Sequence, residues 1–154
     1  MLEDVLLVVH VLAAIVFVGG SAVATSLFPR YAPVAATVPT DATSDQDERS
    51  PTVAAAMHRI TRGYAVAGLL VPVAGIVLAA VQGRMGEIWI TLSMILTAGA
   101  AGLLVTQIVP RQREALDTPG PAAPLRTLSM LAGLYNLIWA IVVILMIVRP
   151  GSEG

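Results

Sequence analysis

Four apolar stretches, each long enough to cross a bilayer and divided by loops whose arginines gather on one side, constrain this chain more than any other feature of its sequence. About 20 apolar residues are needed to cross ~30 Å of hydrocarbon as helix. Only helices and closed barrels cross it without stranding backbone N–H and C=O groups. The pattern predicts an all-α polytopic membrane protein, a bundle of four transmembrane helices over about 5–28, 60–81, 87–109 and 127–148. A chain of 154 residues has room for that one domain and no separate soluble one.

Composition works mainly by exclusion. A net charge of −1, with scattered arginines and no basic patch, offers no field for nucleic acid. With no Cys there are no disulfides, thiolate metal sites or thiol redox chemistry. All nine basic residues are Arg, which together with abundant Ala, Val and Gly points to a bacterial coding sequence and hence to the plasma membrane. Glu3 and Asp4 precede the first apolar run, where a signal peptide would carry positive charge. That run is therefore read as an uncleaved first helix.

Cytoplasmic loops retain Lys and Arg, so the arginines set the orientation. Arg30, Arg49, Arg59, Arg62, Arg111, Arg113 and Arg126 fall on one side, Arg84 and Arg149 on the other. Both termini are expected outside, with loops 29–56 and 110–126 cytoplasmic. The first loop has four prolines and an acidic run from Asp41, and is expected to be mobile apart from a short helix at 51–57. Gly83 and Gly86 predict a tight antiparallel hairpin of helices 2 and 3. Helix 1 ends Thr25-Ser26-Leu27-Phe28-Pro29-Arg30 and helix 3 ends Thr106-Gln107-Ile108-Val109-Pro110-Arg111. The match fits two hairpins related as parallel repeats. It fits equally the habit of Pro to end helices and of Arg to mark the cytoplasmic boundary.

Small residues at helical spacing mark where membrane helices approach one another. The predicted packing stripes are Ala13, Gly20 and Ala24; Gly68, Pro72, Gly75 and Ala79; Gly99 and Gly102; and Ser129, Gly133, Asn136 and Ala140. Pro72 should kink helix 2 near its middle. His10 shares a face with Ala13, Phe17 and Gly20, so it is expected to point into the bundle, and an ionisable group there is a functional candidate by default. It is read either as a ligand or proton carrier, or as a neutral imidazole bonded to Ser93, Thr97 or a water. Asn136 is expected to bond across helices. His58, Arg59 and Arg62 are expected at lipid headgroups, roughly 20 Å from His10 by helical rise, which excludes a two-histidine site. No catalytic pair, phosphate loop or metal motif is present in the sequence.

The pattern His10, Phe17, Gly19-Gly20, then His58-Arg59-Ile60-Thr61-Arg62-Gly63-Tyr64, Val71-Pro72-Val73-Ala74-Gly75, Trp89 and Pro110-Arg111-Gln112-Arg113 resembles a family of bacterial four-helix integral membrane proteins of unknown function. Helix 1 alone is similar to that of bacterial membrane protoporphyrinogen oxidases and copper-resistance membrane proteins. The first of these similarities implies a haem-ligand role for His10, with Phe17 and Gly20 beside it. Phe17 stands where that family has Trp, and the chain has no Lys. The expected function is a non-catalytic accessory or interaction subunit without a cofactor, partnered by lipid and by a second copy or another membrane protein. Its rivals are a haem b redox protein and a small-molecule exporter.

Overall fold

Helices α1 (Leu2–Tyr31), α2 (Pro51–Val81), α3 (Ile88–Asp117) and α4 (Ala123–Val148) are each long and apolar enough to span a membrane. The computed structural model describes residues 1–35 and 49–151, and every regular element among them is helical. Segment 36–48, the middle of the loop expected over 29–56, lies outside the described residues.

Proline does not stop α1 or α3 where expected. Pro29 sits inside α1, which runs on to Tyr31, and α3 continues past Pro110 to Asp117. Proline in a helix clashes with the carbonyl four residues earlier and leaves it without a donor. In α3 the chain is wound as π-helix over Leu104–Ile108 immediately before Pro110, which widens the turn where that clash would fall. A second π-helical stretch, Ala14–Gly19, interrupts α1 far from its proline. The two Thr-to-Arg motifs also face differently, since Thr25 is buried and Thr106 exposed.

The start of α2 lies earlier than expected. Pro51 begins it at a position where no N–H is needed, and the Ser50 hydroxyl accepts from the Val53 N–H at 3.4 Å. Arg49, one residue before, donates to the Ala32 carbonyl at 2.9 Å and so caps the end of α1. The predicted kink falls at Gly68–Leu69, a turn before Pro72. Pro72 cannot serve the Gly68 carbonyl, and the Val71 N–H reaches it instead at 3.2 Å.

The hairpin turn between α2 and α3 is present, with Gly83 at φ +68° in the left-handed region. The helices it joins do not form the expected tight pair. The second half of α2 packs on the first half of α1, the first half of α2 on the second half of α1, and α3 on α4. The core sits toward the arginine-rich end, around Phe28, Ala54, Leu104, Ile108, Leu125 and Leu128. Nothing in Leu2–Gly19 is buried.

Half of the predicted small-residue stripes hold. A Cβ on Gly20 would lie 2.3 Å from the Tyr64 ring, and Ala24 and Ala79 are buried. Gly99, Gly102 and Gly133, by contrast, face open space, while their neighbours Ala100 and Ala132 are buried. Adjacent residues on a helix point ~100° apart, so a small residue beside another small residue leaves the phase undetermined.

Gly20→Val should drive the Tyr64 ring off α1 and lower stability by about 1–3 kcal/mol, read as a reduced Tm in detergent. Gly133→Val should leave Tm nearly unchanged.

Candidate functional site

His10 does point into the bundle, toward α2, where its Nδ1 lies 3.1 Å from the Val71 carbonyl oxygen. A carbonyl only accepts, so Nδ1 carries the proton and donates. The seat exists because of Gly75, one turn beyond Val71. A Cβ there would stand 3.0 Å from His10 Cε1, so a larger residue would press on the imidazole ring. The partners expected for His10, Ser93 and Thr97, are on α3 instead; they line the same cavity but are not its bonded partner.

This cavity holds about 60 Å³ and is walled by His10, Val71, Pro72, Gly75, Trp89, Ser93, Thr97 and Trp139, among others. A smaller one of about 30 Å³ follows below it, sharing Pro72, Thr97 and Trp139 and reaching Tyr64 and Tyr135. Phe17 and Gly20, predicted alongside His10, belong elsewhere. Phe17 stacks edge-on against Tyr64 at 5.7 Å between ring centres, and Gly20 packs on the same ring. They lie about two and three turns along α1 from the imidazole, roughly 10 and 15 Å by helical rise.

Asn136 makes the predicted bond across helices, its Nδ2 donating to Ser26 Oγ at 2.9 Å. A second link between α1 and α4 was not foreseen: Ser21 Oγ and the Tyr135 hydroxyl are 2.7 Å apart and both buried. His58 departs from its expected place at headgroups. It is half-buried, with Nδ1 3.2 Å from Oε1 of the fully buried Gln112 on α3, whereas Arg59 and Arg62 are exposed. His58 precedes Val71 by more than three turns of α2, which keeps the two histidines apart as expected.

A charged cluster closes the far end of the bundle. Arg84 Nε donates to Glu87 at 2.5 Å, Glu87 also accepts from the Trp89 indole N–H, and Arg84 and Arg149 both lie over the Trp89 ring, at 5.7 and 5.9 Å. The Arg84 bond, then the Trp89 bond, holds the Glu87 carboxyl below its ordinary pKa, and the Glu87 bond raises Arg84. In the sequence, the signal for this pair is the spacing of three between Arg84 and Glu87.

An open concavity of about 610 Å³ at the arginine-rich end, between Pro33, Glu114, Gly120 and Thr127, contains none of the residues predicted for a site. Among the described residues no three His, Asp or Glu side chains gather as metal ligands. The fold and site together define an all-helical four-helix bundle of membrane-spanning dimensions with a small, mainly apolar cavity beside His10. No family model matches the chain, and no curated protein or solved structure matches it.

Gly75→Val should eject the His10 ring from the Val71 carbonyl, read as loss of the hydrogen-bonded Nδ1 proton in the ¹⁵N–¹H spectrum of histidine-labelled protein. The lowered carboxyl means that Glu87 stabilises the fold fully above its unfolded pKa of about 4.3, and that the contribution disappears as pH falls through the lower folded value. Trp89 emission, compared with that of Glu87→Gln, should change only below about pH 4 in the parent and show no such transition in the variant.

Proposed function

We propose that this chain is an integral membrane protein without catalysis of its own, serving as an accessory or interaction subunit. The observation that carries this reading is the first half of α1, which has no fully buried residue and flanks a groove of about 480 Å³ lined by apolar side chains. Val9, Leu12, Ala13, Val16, Phe17, Leu70, Val73 and Ala74 line it. Ala13 and Ala74 let a further helix approach closely, which is how helices associate where water supplies no hydrophobic drive. The outward faces elsewhere carry large apolar side chains such as Ile95, Met130 and Ile144, as lipid contact requires. The arginine bias supports a topology with loops 29–56 and 110–126 cytoplasmic and the Arg84 and Arg149 end outside, and the all-Arg composition supports a bacterial plasma membrane.

The haem reading does not fit these residues. Pockets for organic ligands occupy about 300–1,000 Å³, and the space at His10 is about 60 Å³. Phe17 and Gly20 are engaged by Tyr64. The exporter reading needs a passage at Pro72, where the two cavities hold only about 60 and 30 Å³.

Photo-crosslinker at Leu12 should trap a second copy or another membrane protein, while the same group at Ile144 on α4 should trap lipid alone; equal results at both positions would end the proposal. The oxidised and dithionite-reduced absorption spectra of purified protein should show no Soret band that His10→Ala removes. Because the chain has no Cys, single cysteines at Gly86 and Thr118 give a clean orientation test: an impermeant maleimide should label the first in intact cells and spare the second.

A further inference from the structure

Large apolar side chains cover most of the outward surface of this bundle, but not the seam between α1 and α4. There Ser26 is exposed, and its Oγ accepts from Asn136 Nδ2 at 2.9 Å. Gly133 and Ala140, one turn to either side of Asn136 on α4, are exposed as well, and a Cβ on Gly133 would meet nothing within 4 Å. The stripe that the sequence marks for packing on α4 thus makes its polar contact inside the chain and leaves its small residues outside it.

Depth makes this face costly. Arg126 and Arg149 bracket α4, and Asn136 stands roughly 15 and 20 Å from their levels by helical rise, near the middle of the span. On the same stretch of α1, Ser21 and Thr25 give their hydroxyl protons to the Val18 and Ala22 carbonyls. Ser26 only accepts: among the described residues its proton has no acceptor, and Asn136 Nδ2 keeps a second hydrogen. Asn136 Oδ1 is turned inward and takes no part. Hydrocarbon offers nothing to either donor, whereas Asn and Ser beside small residues are the groups by which membrane helices bind one another.

We propose that the α1–α4 seam around Ser26, Gly133 and Asn136 is the contact between two copies of this chain. The inference rests on the membrane reading above and is independent of the groove that α1 and α2 form at Leu12. A two-fold axis along the membrane normal sets the seam against itself, with both polar pairs at one depth. Each Asn136 then offers its second Nδ2 hydrogen to the remaining lone pair of the other copy's Ser26 Oγ. An unrelated helix has to bring its own donor and acceptor to that level; a second copy does so by symmetry. Gly133 and Ala140 let the backbones close to the distance these short side chains span. Helices meeting on small residues cross at about 40°, so at Ile144, ~12 Å outward of Asn136, they have parted by a further ~8 Å and lipid lies between them.

The test uses the full chain, dilute in lipid vesicles, with a fluorophore on a single cysteine at Gly86; the chain has no other Cys. Spots should bleach in two steps. Gly133→Val adds its side chain only to open space, so each copy keeps its fold while the contact is obstructed, and at least tenfold weaker pairing should leave spots that bleach in one step. Asn136→Leu, which removes the shared donor, should do the same. Position is read separately: Ser26→Cys should form a disulfide between copies on oxidation, and Ile95→Cys on α3 should not. A one-step parent, a pair that neither variant weakens, or a disulfide at position 95 in preference to 26 would overturn the proposal. So would separation of the copies by Leu12→Trp alone, which would assign the pair to the groove of α1 and α2. Release of the chain from membranes by alkaline carbonate would instead remove the membrane reading, and the proposal with it.

Discussion

Backbone carbonyls in an apolar setting need donors from within the protein, and the way α2 meets that need organises the bundle. Pro72 removes one donor, and α2 answers by tightening at Gly68–Leu69. Beyond the turn its second half lies on α1, where Gly75 leaves room for the His10 ring, which takes the Val71 carbonyl. One proline and two glycines thus shape the seat of the second half of α2 on α1.

The arginine-rich end obeys the same constraint with other means. Arg49 satisfies the last carbonyls of α1 while standing directly before α2, and Ser50 satisfies an N–H of the helix it begins. The two helices therefore start and finish against one another, and the buried core around Phe28 and Ala54 lies beside that junction.

The sequence revealed the four spans because hydropathy over some twenty residues is insensitive to where each side chain points. It revealed that His10 faces inward, since its neighbours at helical spacing, Phe17 and Gly20, also meet α2. It could not reveal His10's partner. A main-chain carbonyl has no residue identity, and Ser93 and Thr97 were the only bonding groups with names at that depth. Helix ends were misjudged for a related reason: Pro29 and Pro110 look like stops in one dimension, whereas π-helical winding before Pro110 lets α3 continue. Gly99 and Gly133 looked like packing residues, but the neighbouring alanines took that role. No pattern in the sequence distinguished them.

The buried core at one end and the first eighteen residues of α1, none of them fully buried, at the other give the bundle the mechanics of a clothes peg. Amide exchange should be slowest around Phe28, Leu104 and Leu128 and fastest toward Leu2, because local opening is least costly where fewest apolar contacts break. Motion of the first half of α1 then costs the rest of the fold little, because the contacts that hold the bundle are gathered at the opposite end.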